Sequence, residues 1–140
     1  MKKIGIDARL YFQTGVGTYL QNFLHFLDEK NPQKEIYYIY LLKKDFNKVN
    51  FKSKNLLKRA VDSKWHGFRE QTEFLFILIK DNLDLMHFTY FSYPILYFRK
   101  FIATVHDVTP LVFETGKAST KNRLIYNIKH SIFRLVLWLQ

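Results

Sequence analysis

The chain contains no cysteine, which excludes a disulfide framework, a thiolate metal site and a thiol nucleophile. It also lacks any apolar run approaching the roughly 20 residues that cross a bilayer, since its longest runs are residues 74–79 and 135–139. No signal-peptide apolar region follows Met1, because Asp7 already interrupts the first apolar run. These absences predict a cytoplasmic protein that is soluble or peripherally bound to the inner face of the membrane.

Acidic residues are scarce, and none of the twelve follows Glu114. The net charge is +10, with nine Lys or Arg residues in 43–69 and five in 117–140. Such a field attracts anionic lipid headgroups or phosphorylated substrates, although scattered lysines also serve solubility alone. No nucleic-acid partner is predicted, because the chain has no zinc-finger spacing, RNP-like strand or recognisable helix-turn-helix.

A hydrophobic content of 48% over 140 residues is enough for one domain with a core, so residues 1–140 are predicted to form a single domain. Apolar periodicity predicts strands alternating with helices, which is typical of an α/β fold with a Rossmann-like parallel sheet and helices on both faces. The predicted strands are 3–7, 35–42, 58–62, 83–88 and 101–105, with a further short strand near 49–51, and the predicted helices are 16–29, 69–80 and 119–139.

A glycine-punctuated turn, Thr14 to Thr18, joins the first predicted strand to the first predicted helix. Gly15 and Gly17 would let backbone approach a ligand, and the amides at the helix start would face an anion. The turn lacks the full dinucleotide fingerprint and the P-loop lysine, so a tight turn without a ligand is an equal alternative.

Two further polar clusters follow predicted strands. His87 ends the strand at 83–88, and His106 with Asp107 follows the strand at 101–105. Ligands of open parallel sheets bind at the carboxyl ends of the strands, so these clusters are candidates to converge with the glycine turn. His87 is predicted to be structural, and Asp7 is predicted to pair with Arg9 and shape the loop after the first strand.

In order and spacing, the segments IGIDARL, TGVGTYLQNFL, LDLMHFTYFSYP and KFIATVHDVTPLVF resemble the N-terminal half of GT-B glycosyltransferases. The nearest group is the retaining family 4. The resemblance is strong over residues 3–28 and 83–113 and thin between them.

This resemblance implies a two-domain enzyme that transfers a hexose from a nucleotide-sugar donor to a glycan or lipid-linked acceptor, without metal or cofactor. It implies that Gly15, Val16, Gly17 and Thr18 approach the donor diphosphate and the acceptor. His106 matches the family histidine expected at the donor sugar and reacting centre, and Asp107 would orient its loop.

Other roles stay open for these residues. His106 could be an ordinary loop histidine, and Asp107 could be a turn acid bonding its own backbone. The aromatic residues at 88, 90, 91 and 93 are more typical of core packing than of a sugar platform. The predicted helix at 119–139 could cover the sheet, rest on anionic lipid, or be apolar where a missing domain should cover it.

The chain departs from the family pattern in two ways. Many relatives place an arginine after the glycine turn, where this chain has Thr18. The C-terminal donor-binding domain is expected to be absent, so the chain alone is predicted to transfer no sugar at a useful rate. The alternatives are a non-catalytic acceptor- or partner-binding module and a peripheral membrane-binding domain.

Overall fold

Five strands form one parallel sheet in a computed structural model of the chain, which describes residues 1–107. The alternation of apolar runs with helical periodicity accounts for the order of the elements. In chain order these are β1 (Lys2–Asp7), α1 (Val16–Lys30), β2 (Glu35–Leu42), a 3₁₀ turn (Phe46–Lys48), β3 (Leu56–Val61), a π turn (Glu70–Phe74), α2 (Leu75–Asp81), β4 (Leu85–Phe88) and β5 (Phe101–Ala103).

The strand order is β3-β2-β1-β4-β5, and every neighbouring pair is parallel. This arrangement is an α/β Rossmann-like fold, as the sequence predicts. Strands β2 and β3 lie on one side of β1. The chain then crosses back, so that β4 and β5 lie on the other side of β1. The carboxyl ends of β1 and β4 therefore flank the position where ligands bind in folds of this kind.

Helix α1 covers one face of the sheet. Its buried Leu20 and Leu24 pack into a core with Ile6 of β1 and with Ile39 and Leu41 of β2. Ile39 and Leu41 are two residues apart in β2, so both side chains point to the face that α1 covers. Burial of this stripe stabilises α1 against the sheet more than its intrinsic helix propensity does.

The π turn and α2 cover the opposite face. Phe74 and Leu78 are buried there, and the Phe74 ring meets the Tyr40 ring edge-on with 5.5 Å between centroids. The segment linking β4 to β5 continues this layer, with Tyr93 and Tyr97 buried against Phe88. Helical or aromatic segments thus cover both faces, as parallel sheets require.

Several details differ from the sequence prediction. Strand β3 lies at Leu56–Val61 instead of 58–62, β4 begins at Leu85 instead of residue 83, and β5 ends at Ala103 instead of residue 105. Residues 49–51 form no strand, because Val49 packs into the α1 core and Lys58 Nζ donates to the carbonyls of Phe46 and Val49 at 2.8 and 2.6 Å. The segment predicted as a regular helix over 69–80 begins with the π turn at Glu70. The predicted helix at 119–139 lies outside the described residues.

Residues Met1–Thr104 form one compact unit that contains the sheet, and Val105 begins a second. A single domain over 1–140 stays a prediction. Within residues 1–107, none of the helices has the length and apolar character needed to traverse a bilayer.

Candidate functional site

The loop after β1 is folded back on itself by local hydrogen bonds. The Tyr11 amide donates to the Ala8 carbonyl at 3.0 Å, and the Gln13 amide donates to the Leu10 carbonyl at 2.9 Å. The side chain of Gln21, one turn into α1, donates to the Tyr11 carbonyl at 2.9 Å. These contacts hold the loop against the start of α1, at the carboxyl edge of the sheet.

Gly15 occupies the position immediately before α1, with φ 69° and ψ −81°. A side chain is strained in this region of backbone space, which only glycine visits readily. A Cβ at Gly15 would meet no atom within 4 Å, so open space lies where the side chain would be. The glycine is therefore required by the turn, and its backbone is accessible to a ligand.

Gly17 has a different reason to be glycine. A Cβ there would lie 2.7 Å from the Tyr11 carbonyl oxygen and 3.1 Å from that of Leu10. The first turn of α1 thus packs directly on the backbone of the loop, with no room for a side chain. Gly17 is buried, whereas Thr18 is exposed.

The start of α1 suits an anion. In the described part of the chain, no side chain caps this helix end, and its first turn carries no acidic residue. The amides of the first turn of a helix lack intrahelical acceptors and carry a partial positive charge. The structure thus brings together the predicted residues Gly15, Val16, Gly17 and Thr18 at one helix start beside the carboxyl end of β1.

A buried ion network lies under this loop. Arg9 Nη2 is 2.7 Å from Asp7 Oδ2 and 2.6 Å from Glu70 Oε1, and Arg9 Nε is 2.9 Å from Asp7 Oδ1. The predicted pairing of Asp7 with Arg9 is confirmed. The guanidinium carbon also lies 4.1 Å above the centre of the Phe74 ring. All three charged side chains of the network are buried.

The charges in this network hold Arg9 ionised. Burial lowers the pKa of the guanidinium, but the carboxylates of Asp7 and Glu70 outweigh it, so the pKa of Arg9 is raised. Asp7, Arg9 and Glu70 are buried and paired with each other, so their role is to position the loops. Other residues form the surface that a ligand could contact. Sequence reasoning missed Glu70, since nothing in the pattern distinguishes it from the exposed acids around it.

Glu70 extends the network to the loops after β3 and β4. Its Oε2 accepts hydrogen bonds from the Ser92 hydroxyl at 2.7 Å and the His66 amide at 3.0 Å. The Thr89 hydroxyl donates to the Asp7 carbonyl, which ties the end of β4 to the end of β1. Three loops at the carboxyl edge are therefore joined through one carboxylate and one guanidinium.

His66 is a second residue that sequence reasoning missed. It has φ 57°, and its ring contacts those of Tyr90 and Phe91 at centroid distances of 5.9 and 5.3 Å. Partial desolvation lowers the pKa of the imidazole below 6.5, and the Arg9 charge lowers it further although Glu70 opposes both. A neutral imidazole near neutral pH can both donate and accept a hydrogen bond. The one feature of the sequence that could have indicated His66 is the glycine that follows it, because a His-Gly pair is typical of a turn.

The histidine at the end of β4 has a structural environment. The His87 ring meets the Phe23 ring of α1 edge-on at 5.7 Å, and its Nε2 lies 2.8 Å from the Thr104 hydroxyl. These contacts agree with the prediction that His87 is structural. Among the neighbouring aromatics, Phe88 and Tyr93 are buried in the core, as expected for packing residues.

His106 and Asp107 follow β5 and are both exposed. They lie at the beginning of the second compact unit, whereas the glycine turn belongs to the first. Their convergence with the glycine turn stays a prediction.

Two groups of residues in the basic stretch at 43–69 have different environments. Lys58, Arg59 and Arg69 are used within the fold, on loop carbonyls and on the carboxylates of Asp81 and Asp62. Exposed lysines follow two strands at the carboxyl edge, namely Lys43 and Lys44 after β2 and Lys64 after β3. These side chains give that edge a positive field, which favours anionic ligands.

An open depression of about 450 Å³ lies at the opposite edge, where α1 ends. The Asp28 carboxylate in it already accepts the amides of Lys52 and Ser53 at 2.9 and 2.7 Å. Within residues 1–107, no group of three or more metal-ligating side chains is brought together. The carboxyl edge is therefore the candidate site.

Comparisons with protein-family models, with curated proteins and with solved structures find no match to this chain.

Proposed function

We propose that the chain is the acceptor-side domain of a retaining, family 4-like glycosyltransferase of the GT-B class. The observation that carries this proposal is the start of α1 at the carboxyl end of β1. There, an accessible glycine with positive φ precedes uncapped helical amides. The segment resemblance over 3–28 and 83–113 supplies the enzyme class.

In this proposal, the amides of the first turn of α1 approach the diphosphate of a nucleotide sugar. Negative charge grows on that leaving group as the glycosidic bond to it breaks, and preorganised amides stabilise developing charge. His106 would contact the donor sugar at the reacting centre, with Asp107 orienting its loop. The hexose would pass to a glycan or lipid-linked acceptor, and no metal is required.

The buried ion network supports the proposal because it fixes the loops around the glycine turn. Arg9 and Glu70 hold the loops after β1, β3 and β4 in one arrangement, which leaves the glycine turn preorganised. Preorganisation matters because a displacement of about 1 Å at a reacting group can lower a rate by roughly 100-fold. The exposed Lys43, Lys44 and Lys64 add a field that attracts a phosphorylated donor or acceptor.

The testing experiment is an amide-resolved NMR titration of the chain with nucleotide sugars, using uridine diphosphate glucose and guanosine diphosphate mannose. We expect the amides of Gly15 to Thr18 and of His106 to shift with at least one of them. The test variant is Gly15→Ala, which strains the turn and should weaken the response. Shifts confined to other residues, or no shift with either ligand, would contradict the proposal.

A non-catalytic binding module is the second candidate, and the same titration separates it. If a glycan acceptor shifts these amides while neither nucleotide sugar does, the site recruits an acceptor and has no part in donor chemistry. If both classes shift them, the catalytic proposal is supported.

A further inference from the structure

A short loop at the carboxyl edge of the sheet connects the end of β3 to the π turn. It consists of residues 62–69, and we call it the strap. Trp65 of the strap packs against the core cluster that also contains Ala8 and Leu10 from the loop after β1. The strap therefore borders the loop that leads to the glycine turn.

The strap is bound to the buried ion network at two of its residues. The His66 amide donates to Glu70 Oε2 and to the hydroxyl oxygen of Ser92, both at 3.0 Å. The Ser92 hydroxyl in turn donates to the same Glu70 oxygen at 2.7 Å. Arg9 Nη1 donates to the Ser63 carbonyl at 3.3 Å. The position of the strap thus depends on side chains from three other segments.

The backbone of the strap is strained at His66. Its φ of 57° lies in the left-handed region, which residues with a side chain adopt at a cost in conformational energy. The hydrogen bonds to the amide and the ring contacts with Tyr90 and Phe91 offset that cost while the strap is attached. Detachment relieves the strain, so a modest loss of contact energy is enough to release the strap.

The surroundings of the His66 ring disfavour a positive charge on it. Desolvation lowers the pKa of the imidazole, and the guanidinium of Arg9 from the loop after β1 lowers it further, whereas Glu70 of the π turn opposes both. The loop after β4 faces the ring with Tyr90 and Phe91, at centroid distances of 5.9 and 5.3 Å. A protonated ring is therefore better solvated, and farther from Arg9, once the strap has detached.

The other charged groups of the strap have different surroundings. Arg69 Nη1 lies 3.3 Å from Asp62 Oδ2, and Arg69 Nε lies 3.2 Å from Glu73 Oε2. Lys64 is exposed. Histidine is the side chain that ordinarily changes its charge between about pH 5 and 8, and His66 is the one histidine of residues 62–69. It is therefore the group through which the strap can respond to pH near neutrality.

We propose that the strap is a pH-sensitive switch, in which uptake of one proton by His66 releases residues 62–69 from Glu70 and Ser92 while the sheet stays folded. The ring and the amide of His66 leave together, because they belong to one residue. Release also withdraws Trp65 from the core cluster, which uncovers one side of the loop that leads to the glycine turn. This proposal is independent of sugar transfer, and its test requires no turnover.

The test is amide hydrogen exchange of the whole chain, followed by NMR at a series of pH values from about 7.5 to 5.5. The reporters are the amides of His66 and of Glu70, which donates to the Gly67 carbonyl at 3.0 Å. We expect their protection factors to fall as the pH drops below about 6.5, by at most about tenfold per pH unit because one proton is bound. The Ala8 amide, which donates to the Tyr40 carbonyl at 2.9 Å, should stay at least roughly tenfold more protected at every pH.

Two variants separate the titrating ring from the attachment. In His66→Asn the left-handed backbone is tolerated and the titrating ring is absent, so the protection factor of the Glu70 amide should no longer change with pH. In Ser92→Ala one acceptor of the His66 amide is lost, so protection should fall at every pH while the pH dependence persists. His25→Asn is the matched control, because His25 is exposed on α1 and should affect neither quantity. Circular dichroism melts establish that each variant is folded.

Tryptophan fluorescence gives an independent measurement of the same release. The chain has two tryptophans, Trp65 and Trp138, so Trp138→Phe leaves Trp65 as the reporter. Quenching of Trp65 by acrylamide should increase as the pH falls below about 6.5, because the indole leaves the core cluster. The increase should be absent when His66→Asn is added.

Three results would overturn the proposal. Strap amides as protected as the Ala8 amide would show that the strap opens only when the whole sheet unfolds. Protection factors that do not change with pH, or that change equally in His66→Asn, would remove His66 as the switch. A slope steeper than about tenfold per pH unit would require more than one proton.

Discussion

The guanidinium of Arg9 meets the carboxylate of Glu70 across 61 residues of sequence, with 2.6 Å between Nη2 and Oε1. Both side chains are almost completely removed from solvent. The contact joins the loop after β1 to the π turn in the connection between β3 and β4. Three loops at the candidate site depend on it, because Ser92 and His66 bind the same carboxylate.

Removing the Glu70 charge should be strongly destabilising. We expect Glu70→Gln to lower the free energy of unfolding by about 3–5 kcal/mol, because Arg9 would stay buried with one carboxylate lost. Urea denaturation followed by circular dichroism measures this difference. Glu73→Gln is the matched control in the same π turn, since Glu73 pairs with Arg69 nearer the surface and should cost about 1 kcal/mol or less. Equal losses of unfolding free energy in Glu70→Gln and Glu73→Gln would contradict a stabilising role for the buried network.

The two glycines of the turn should respond to substitution for different reasons. Gly17→Ala should lower the free energy of unfolding by about 1–3 kcal/mol, because its Cβ would overlap the Tyr11 carbonyl. Gly15→Ala should cost a similar amount, about 1–3 kcal/mol, through backbone strain alone.

Two asparagine variants separate these causes. Gly15→Asn should cost about as much as Gly15→Ala, because a ψ of −81° lies outside the left-handed region that asparagine tolerates, whereas Gly17→Asn should be worse than Gly17→Ala because its side chain is larger. Urea midpoints of the four variants provide the comparison. Asparagine clearly different from alanine at Gly15, or milder than alanine at Gly17, would contradict the assigned cause.

His66 should make stability depend on pH. Its pKa is lowered in the folded state, so between that pKa and about 6.5 the unfolded chain binds more protons than the folded one. Stability therefore rises with pH in this window and is lost as pH falls through about 6.5. The measurement is the urea midpoint at a series of pH values from about 7.5 to 5.5.

The His66→Asn variant isolates this contribution. Asparagine accepts the positive φ of 57° at this position, so the backbone conformation is retained while the titrating ring is lost. We expect the pH slope to flatten in His66→Asn and to persist in His25→Asn, whose ring is exposed on α1. A slope identical in both variants would assign the pH dependence to other groups.

An arginine after the glycine turn should strengthen anion binding. Thr18 is exposed in the first turn of α1, beside the amides that the proposed function assigns to the donor diphosphate. Thr18→Arg should tighten the binding of uridine diphosphate roughly fivefold, which corresponds to about 1 kcal/mol for one partly solvated charge pair. Calorimetric titration gives the dissociation constants, and Asn22→Arg, one turn further along α1, is the control. A fivefold gain in the control as well would indicate a general field effect.

Much of the fold could be predicted from the sequence because the signals are local. The β-forming residues at 35–42 predict β2 with its observed bounds, and the apolar spacing after Gly15 predicts α1. Alternation of such segments favours a parallel sheet, since parallel strands need crossover connections. The glycine turn was recognisable for the same reason, because turn chemistry depends on adjacent residues.

The sequence by itself therefore determined the class of fold, the glycine turn and the Asp7–Arg9 pair, which are all set by residues near each other in the chain. Only the tertiary structure decided that Glu70 is the acid that completes the buried network and that His66 joins it. It also decided that Val49 packs as a core residue outside any strand, and that Phe76 and Phe98 face solvent. The physical reason is that burial and charge pairing arise from contacts between segments that are distant in the chain. These contacts depend on the spatial order of the strands in the sheet.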